Sequence, residues 1–351
     1  MDEWLRVLWA SLAVFGVVGV GAWLRRINWL NADADASLLK LVVNVLMPCL
    51  ILRSVVGNAA LDQASNVWLP PVVGFGTTAG AILLCATLAW WLGPALGLRS
   101  AATRRTFAVA AGMHNYGYLP VPLAQSLYDS PDGGTNPVLG VLFVNNVGVD
   151  LAMWTVGVAV ISGATGMRGW KRAINAPSIA LVAALGLHLG GAGEWLPTRA
   201  GFVWQAVGML AACAVPVALL LIGATIVDAF TQLRYSAGRS PGEAQPAVEA
   251  ARPRGRGVWP MVTVACVVRL AVLPAGLATL AWVLPSAGAT VEMQRVLLLH
   301  AAMPAAVFPI VLARHYGGDV RTAATIALAT SALSLLTMPA WLTLGPGLIG
   351  L

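Results

Sequence analysis

Long apolar runs separated by short polar breaks dominate the chain. They fall at roughly 4–24, 38–57, 67–92, 106–128, 137–162, 174–192, 201–227, 258–284, 294–316 and 322–345. At 1.5 Å of rise per residue, each is long enough to cross a hydrocarbon layer of about 30 Å. The pattern predicts ten transmembrane helices, and an even number puts both termini on one side. The first run begins after the acidic "MDEW" and ends at "WLRR", the reverse of the basic leader of a signal peptide, so a retained first helix is expected. Between the seventh and eighth runs lies the one long connection, 228–257, rich in Pro, Gly and Arg and without apolar period. It reads as a mobile linker.

Composition narrows the class. Of 351 residues, 58% are hydrophobic and only 10% charged, against about 25% charged in a soluble domain. The formal charge of +7 sits in short clusters between apolar runs, which leaves no soluble surface for nucleic acid. Cys49, Cys85, Cys213 and Cys266 all lie within apolar runs without metal-ligand spacing, so neither a metal nor a disulfide framework is expected. Arg25, Arg26, Arg99, Arg104, Arg105, Arg168, Lys171, Arg172, Arg234, Arg239, Arg252, Arg254, Arg256 and Arg321 occupy the odd-numbered loops, against Arg199 alone in the even ones. Positive charge is retained inside. That asymmetry predicts cytoplasmic odd loops and both termini on the non-cytoplasmic side of a bacterial inner membrane. Tryptophans near span ends, among them Trp29, Trp90, Trp91 and Trp341, fit an interfacial belt.

Polar residues inside the spans carry the candidate chemistry. In "AAGMHNYGYLPVPLAQSLYD" (110–129), Pro120, Pro122 and Gly117 predict a broken helix 4 beside His114, Asn115, Tyr116 and Tyr118. Pro304 and Pro309 repeat the device in helix 9, after His300. Backbone groups freed at such breaks suit an ion or an organic acid. Span 5 adds Asn145, Asn146 and Asp150, and span 8 adds Arg269; an ionisable group within a span is functional by default. The estimated depths of Asp150 and Arg269 overlap, so the two are expected either to pair or to leave Arg269 facing a substrate anion. Weak echoes, "NVLMPCLIL" with "ACAVPVALLLIG" and "PVPLAQSLY" with "FPIVLARHY", lie five spans apart. A unit repeated after five crossings is inverted. The division expected is 1–162 for the first five-helix repeat, 163–173 for a cytoplasmic connection, and 174–345 for the second repeat.

The segments "NVLMPCLIL" (44–52), "HNYGYLPVPLA" (114–124), "RAINAPSIALVAALGL" (172–187), "AVPVALLLIGA" (214–224) and "AAMPAAVFPIVLARHYGGD" (301–319) resemble the auxin efflux carrier family, which is related to bacterial malonate and malate carriers. The likeness spans essentially the whole chain. It implies two inverted five-helix repeats, crossed helices 4 and 9, and a transport domain moving an organic anion against a scaffold. By resemblance, Asn115 stands at the polar position before the first crossover, Pro122 is its proline, and Pro304 belongs to the second. Pro120 departs from the family's usual glycine. A secondary carrier of a dicarboxylate or an auxin-like carboxylate is the resulting expectation, with no cofactor and with proton coupling favoured over sodium. Membrane lipids are the surroundings, and a homodimer is left open. "GATG" at 163–166 lacks the Walker lysine and no HExxH motif occurs, so primary transport and intramembrane metalloenzyme chemistry are not expected. A sodium-coupled carrier, a channel or sensory protein, and an aspartyl enzyme are the alternatives weighed.

Overall fold

The computed structural model describes residues 2–128, 135–163, 170–238 and 258–351. Asp129, most of the "GATG" turn and the linker beyond Gly238 lie outside the described residues. The described chain is helical throughout, joined only by an isolated β-bridge. Its helices are α1 (Asp2–Arg26), α2 (Ala32–Leu41), α3 (Met47–Val55), α4 (Ser65–Leu92), α5 (Ala101–Gly112), α6 (Pro120–Leu127), α7 (Pro137–Ala152) and α8 (Val158–Ser162). There follow α9 (Ala176–Leu189), α10 (Ala192–Arg199), α11 (Gly201–Gly238), α12 (Val258–Val267), α13 (Leu273–Val283), α14 (Val291–Ala302), α15 (Phe308–Tyr316) and α16 (Val320–Ile349). The protein is a polytopic all-α membrane protein.

Among the described residues, seven stretches are long and apolar enough to cross a membrane: Trp4–Arg26, Asp33–Val55, Ser65–Leu92, Pro137–Ser162, Gly201–Thr231, Val258–Ala287 and Val320–Ile349. The pair α9 and α10, bent by 97°, makes an eighth if the two are taken as one broken span. The apolar runs at 106–128 and 294–316 are not single helices. Each consists of two half-length helices, α5 with α6 and α14 with α15, around a short non-helical segment. A count of ten crossings takes each such pair as one.

Local sequence explains the starts. Asn31, Ser100, Asn136, Asn175 and Thr290 cap the first turns of α2, α5, α7, α9 and α14 through side-chain oxygens, satisfying amides that have no earlier turn to bond. Three spans carry a turn of π-helix, at Val42–Leu46, Met153–Gly157 and Val268–Val272. The first precedes Pro48 and the last Pro274. Proline offers no N–H to the carbonyl four residues back. At the last turn that carbonyl, Leu270, accepts from the Trp341 indole at 2.9 Å. Helix α11 also continues through residues 228–238, where the linker was expected. No glycine or proline interrupts that stretch before Gly238, and Asp228 pairs with Arg25 at 3.2 Å.

Two apolar cores fill the bundle. One contains Leu50, Leu61, Leu123, Leu142, Ala184, Leu297 and Met338; the other contains Ile82, Phe107, Met113, Ile161, Ala265, Ile310 and Ala324. Several polar side chains are buried as well, among them His114, Asn115, Asn145, Asn146, Arg269, His300 and Thr330. His114 and Asn115 follow the end of α5, and His300 stands in the last turn of α14. Large apolar side chains cover the outside, including Trp9, Trp90, Trp91, Phe202, Trp259 and Leu336, the surface a lipid environment requires.

Candidate functional site

The segments between the half-helices cross in antiparallel register. His114 bridges Ala305. The Asn115 amide donates to the Pro304 carbonyl, and the Ala306 amide to the Met113 carbonyl, both at 2.9 Å. The Ala305 amide donates to the Thr330 hydroxyl at 3.2 Å. These three bonds satisfy backbone groups that the helix breaks expose. Pro304 lies in the crossing segment. Pro120, Pro122 and Pro309 do not: they sit in the opening turns of α6 and α15, where a missing N–H costs nothing. The helix therefore breaks before the paired prolines of span 4, at Met113–Leu119, and the prolines restart it.

One face of the crossing opens into a cavity of about 470 Å³, within the usual range for small-molecule sites. Asn115, Tyr116, Gly117 and Tyr118 line it from the first crossing segment, and Ala306, Val307 and Phe308 from the second. Asn146, Asp150, Met153 and Trp154 come from the span containing α7; Arg172, Asn175 and Ser178 come from the entry to α9. Leu39, Val43, Met47, Ile51, Leu221 and Ile222 close the far wall, which is apolar.

Tyr116 organises the polar wall. Its hydroxyl donates to Asp150 at 2.5 Å, and its carbonyl accepts from the Asn146 side chain at 3.0 Å. The Asn175 side chain also hydrogen-bonds Asp150. Asp150 thus ties the crossing segment to the start of α9. Arg172 is the one cationic side chain among the described residues lining the cavity. It donates to the Tyr316 hydroxyl, stands 3.4 Å from the His315 ring nitrogen, and lies over the Trp154 and Tyr316 rings at 5.8 and 5.7 Å.

The predicted residues therefore separate. Asn115, Tyr118, Asn146 and Asp150 meet in the cavity. His114, His300 and Arg269 sit behind the crossing, all buried, with the two imidazole centroids 4.5 Å apart. The Arg269–Asp150 pair is not formed: Arg269 donates to the Gly112 carbonyl at 3.3 Å, while Asp150 takes Tyr116 and Asn175. Equal depth along two helices does not make two side chains face each other. Asn145 points away from the cavity into α4, where a Cβ on Gly74 would lie 2.5 Å from its side-chain oxygen. Tyr116 was visible at the break without a role. Arg172 was counted only as a topology signal, and nothing in one sequence separates it from the neighbouring Lys171.

Comparison with known proteins agrees with this architecture. The sequence profile of the family described as membrane transport protein matches residues 7–168 and 164–342. The chain belongs to that family. It is the auxin efflux carrier family that the segments around the two crossovers resemble. An uncharacterized transporter of Methanothermobacter thermautotrophicus is 28% identical over 335 residues, covering 94% of this chain and 95% of its own length. The membrane transport protein described here accordingly carries a broken-helix crossing and a polar-walled cavity within a transporter family.

Proposed function

We propose that this membrane transport protein is a secondary carrier of an organic monocarboxylate with a large apolar or aromatic body. The observation that carries the reading is the cavity's composition: one cation, Arg172, and one carboxylate, Asp150, on an otherwise largely apolar wall. A single guanidinium gives a carboxylate bidentate, charge-assisted bonds, and the apolar wall favours burial of the rest of the cargo. A second carboxylate would have Asp150 to meet and no further described cation in the cavity. Indole-acetate-like acids therefore fit better than malonate or malate. Asn115 reaches the same cavity, and its side-chain amide makes no hydrogen bond among the described residues, which leaves it available to cargo.

The crossing moves with α5, α6, α14 and α15 relative to the remaining helices in an elevator-type cycle on this reading. The reciprocal amide bonds at Asn115 and Ala306 support a pseudo-twofold relation between repeats 1–162 and 174–345. With the basic loops cytoplasmic, the mouth at Arg172 faces inward. Asp150 is the proton-coupling candidate, because a proton on it would release Tyr116 and Asn175. Purified protein in liposomes, given labelled indole-acetate, malonate or malate with and without an imposed proton gradient, tests all of this. Saturable flux of the aromatic monoacid is expected. Flux of the dicarboxylates alone overturns the cargo assignment, and unsaturable flux favours a channel.

A further inference from the structure

We infer that the Arg269 guanidinium is a resident cation of the crossing, placed where half-helices α5 and α14 direct their carbonyl ends, and that it replaces a co-transported metal ion there. Carriage is then independent of sodium and potassium gradients. The inference rests on the carrier reading for its transport consequence, and on geometry alone for the site.

Arg269 is 1% exposed, and its Nε and second terminal nitrogen have no hydrogen-bond partner among the described residues. No salt bridge to it is found among the described residues. Among the described residues, the groups its charge is seen to perturb are Cys85, His114 and His300, none of them a carboxylate. A buried charge so placed must be offset by something else. Its one hydrogen bond identifies what: the carbonyl of Gly112, the last residue of α5. His114 lies two residues further on, and its ring packs against that of His300 in the last turn of α14. The end of α5 therefore touches Arg269, and His300, in the last turn of α14, lies within its electrostatic reach.

A helix C-terminus carries about half a negative charge, and its last carbonyls have no following turn to bond. Two such ends amount to roughly one negative charge, which one guanidinium balances. Broken helices in other carriers present the same ends to a sodium ion or a proton. In this protein the cation is covalent. The π-turn at Val268–Val272 carries Arg269, and the Trp341 indole secures the Leu270 carbonyl beside it. Arg269 is not among the cavity-lining residues, so cargo does not reach it directly.

Thermal melting of the purified full chain in detergent reads the site without cargo. The wild type should melt at the same temperature in sodium, potassium or choline chloride of equal ionic strength. Arg269→Ala should melt several degrees lower and recover in millimolar guanidinium chloride but not in choline chloride. Arg269→Met, which fills the space without charge, should melt lower and show no recovery. A wild-type melting temperature raised by sodium or potassium overturns the inference even if both variants fail to fold. Absence of guanidinium recovery in folded Arg269→Ala overturns it as well. In liposomes, wild-type flux of indole-acetate should be unchanged when choline replaces sodium on both sides. Flux that requires sodium refutes the resident cation while leaving the carrier reading intact; absence of flux for any acid, with the melting pattern as expected, refutes only the carrier reading.

Discussion

Arg172 and Asn115 show how far a residue's role depends on its surroundings. Arg172 is an exposed side chain lining the cavity, held by Tyr316 on α15 and facing Trp154. Arg172→Gln should weaken binding of an aromatic monoacid about tenfold, the low end for a bond to a charged group. Arg172→Lys should recover part of that, keeping the charge without the planar fork. Titration of labelled acid binding to detergent-solubilised variants checks both; equal affinity in all three proteins removes Arg172 from the site. Asn115→Ala takes away a donor and an acceptor in the cavity and should cost ~1.5–3 kcal/mol, roughly a 10- to 150-fold loss of affinity. The same titration tests it, and a wild-type binding curve would reject the contact. Asp150→Asn should retain more binding than Arg172→Gln while flattening the response of uptake to an imposed proton gradient, because the amide cannot cycle a proton. Asn115, Asn146 and Asp150 could be picked out in the sequence because polar groups in a span are rare and costly. Their division from His114, Asn145, His300 and Arg269 could not, since it depends on which side of the crossing each side chain lies.

At the scale of elements, helix breaks and close helix contacts set the geometry. The prolines of span 4 signalled a break, yet the break precedes them. Proline is tolerated at the first turn of a helix, so it marks a restart as readily as an interruption. Helices α4 and α7 approach so closely that a Cβ on Gly148 would lie 1.9 Å from the Pro71 carbonyl, whereas one on Gly76 would meet nothing within 4 Å. Gly148→Ala should therefore cost about 1–3 kcal/mol by overpacking. Gly76→Ala should be neutral or stabilising, as expected for alanine in a helix interior. Melting of the two variants in detergent compares them; equal stability would mean that α4 and α7 are not packed this way. Since α7 carries Asn146 and Asp150, that contact also holds the polar wall of the cavity in place.

At the scale of the whole molecule, the issue is orientation. The basic loops predict that the mouth at Arg172 and the segment around 242 face the cytoplasm, with the C-terminus outside. In a background lacking reactive native cysteines, Gly350→Cys should react with an impermeant thiol reagent in intact cells. Gly242→Cys should react only after the membrane is permeabilised. The opposite labelling pattern would invert the topology and place the cavity mouth outside.

The sequence by itself determined the membrane class, the approximate spans, the broken helices and the family. Those follow from hydropathy, length and proline, which act locally and are written in consecutive residues. Only the tertiary structure decided which polar residues share a cavity. It turned Arg269 toward the Gly112 carbonyl and away from Asp150, and it brought Arg172 across 144 residues of chain to Tyr316. Such pairings are set by the rotation of each helix about its own axis and by the way the half-helices cross. Neither is encoded in the order of residues along one span; both emerge only when the buried polar groups and backbone breaks of all the spans must be satisfied together.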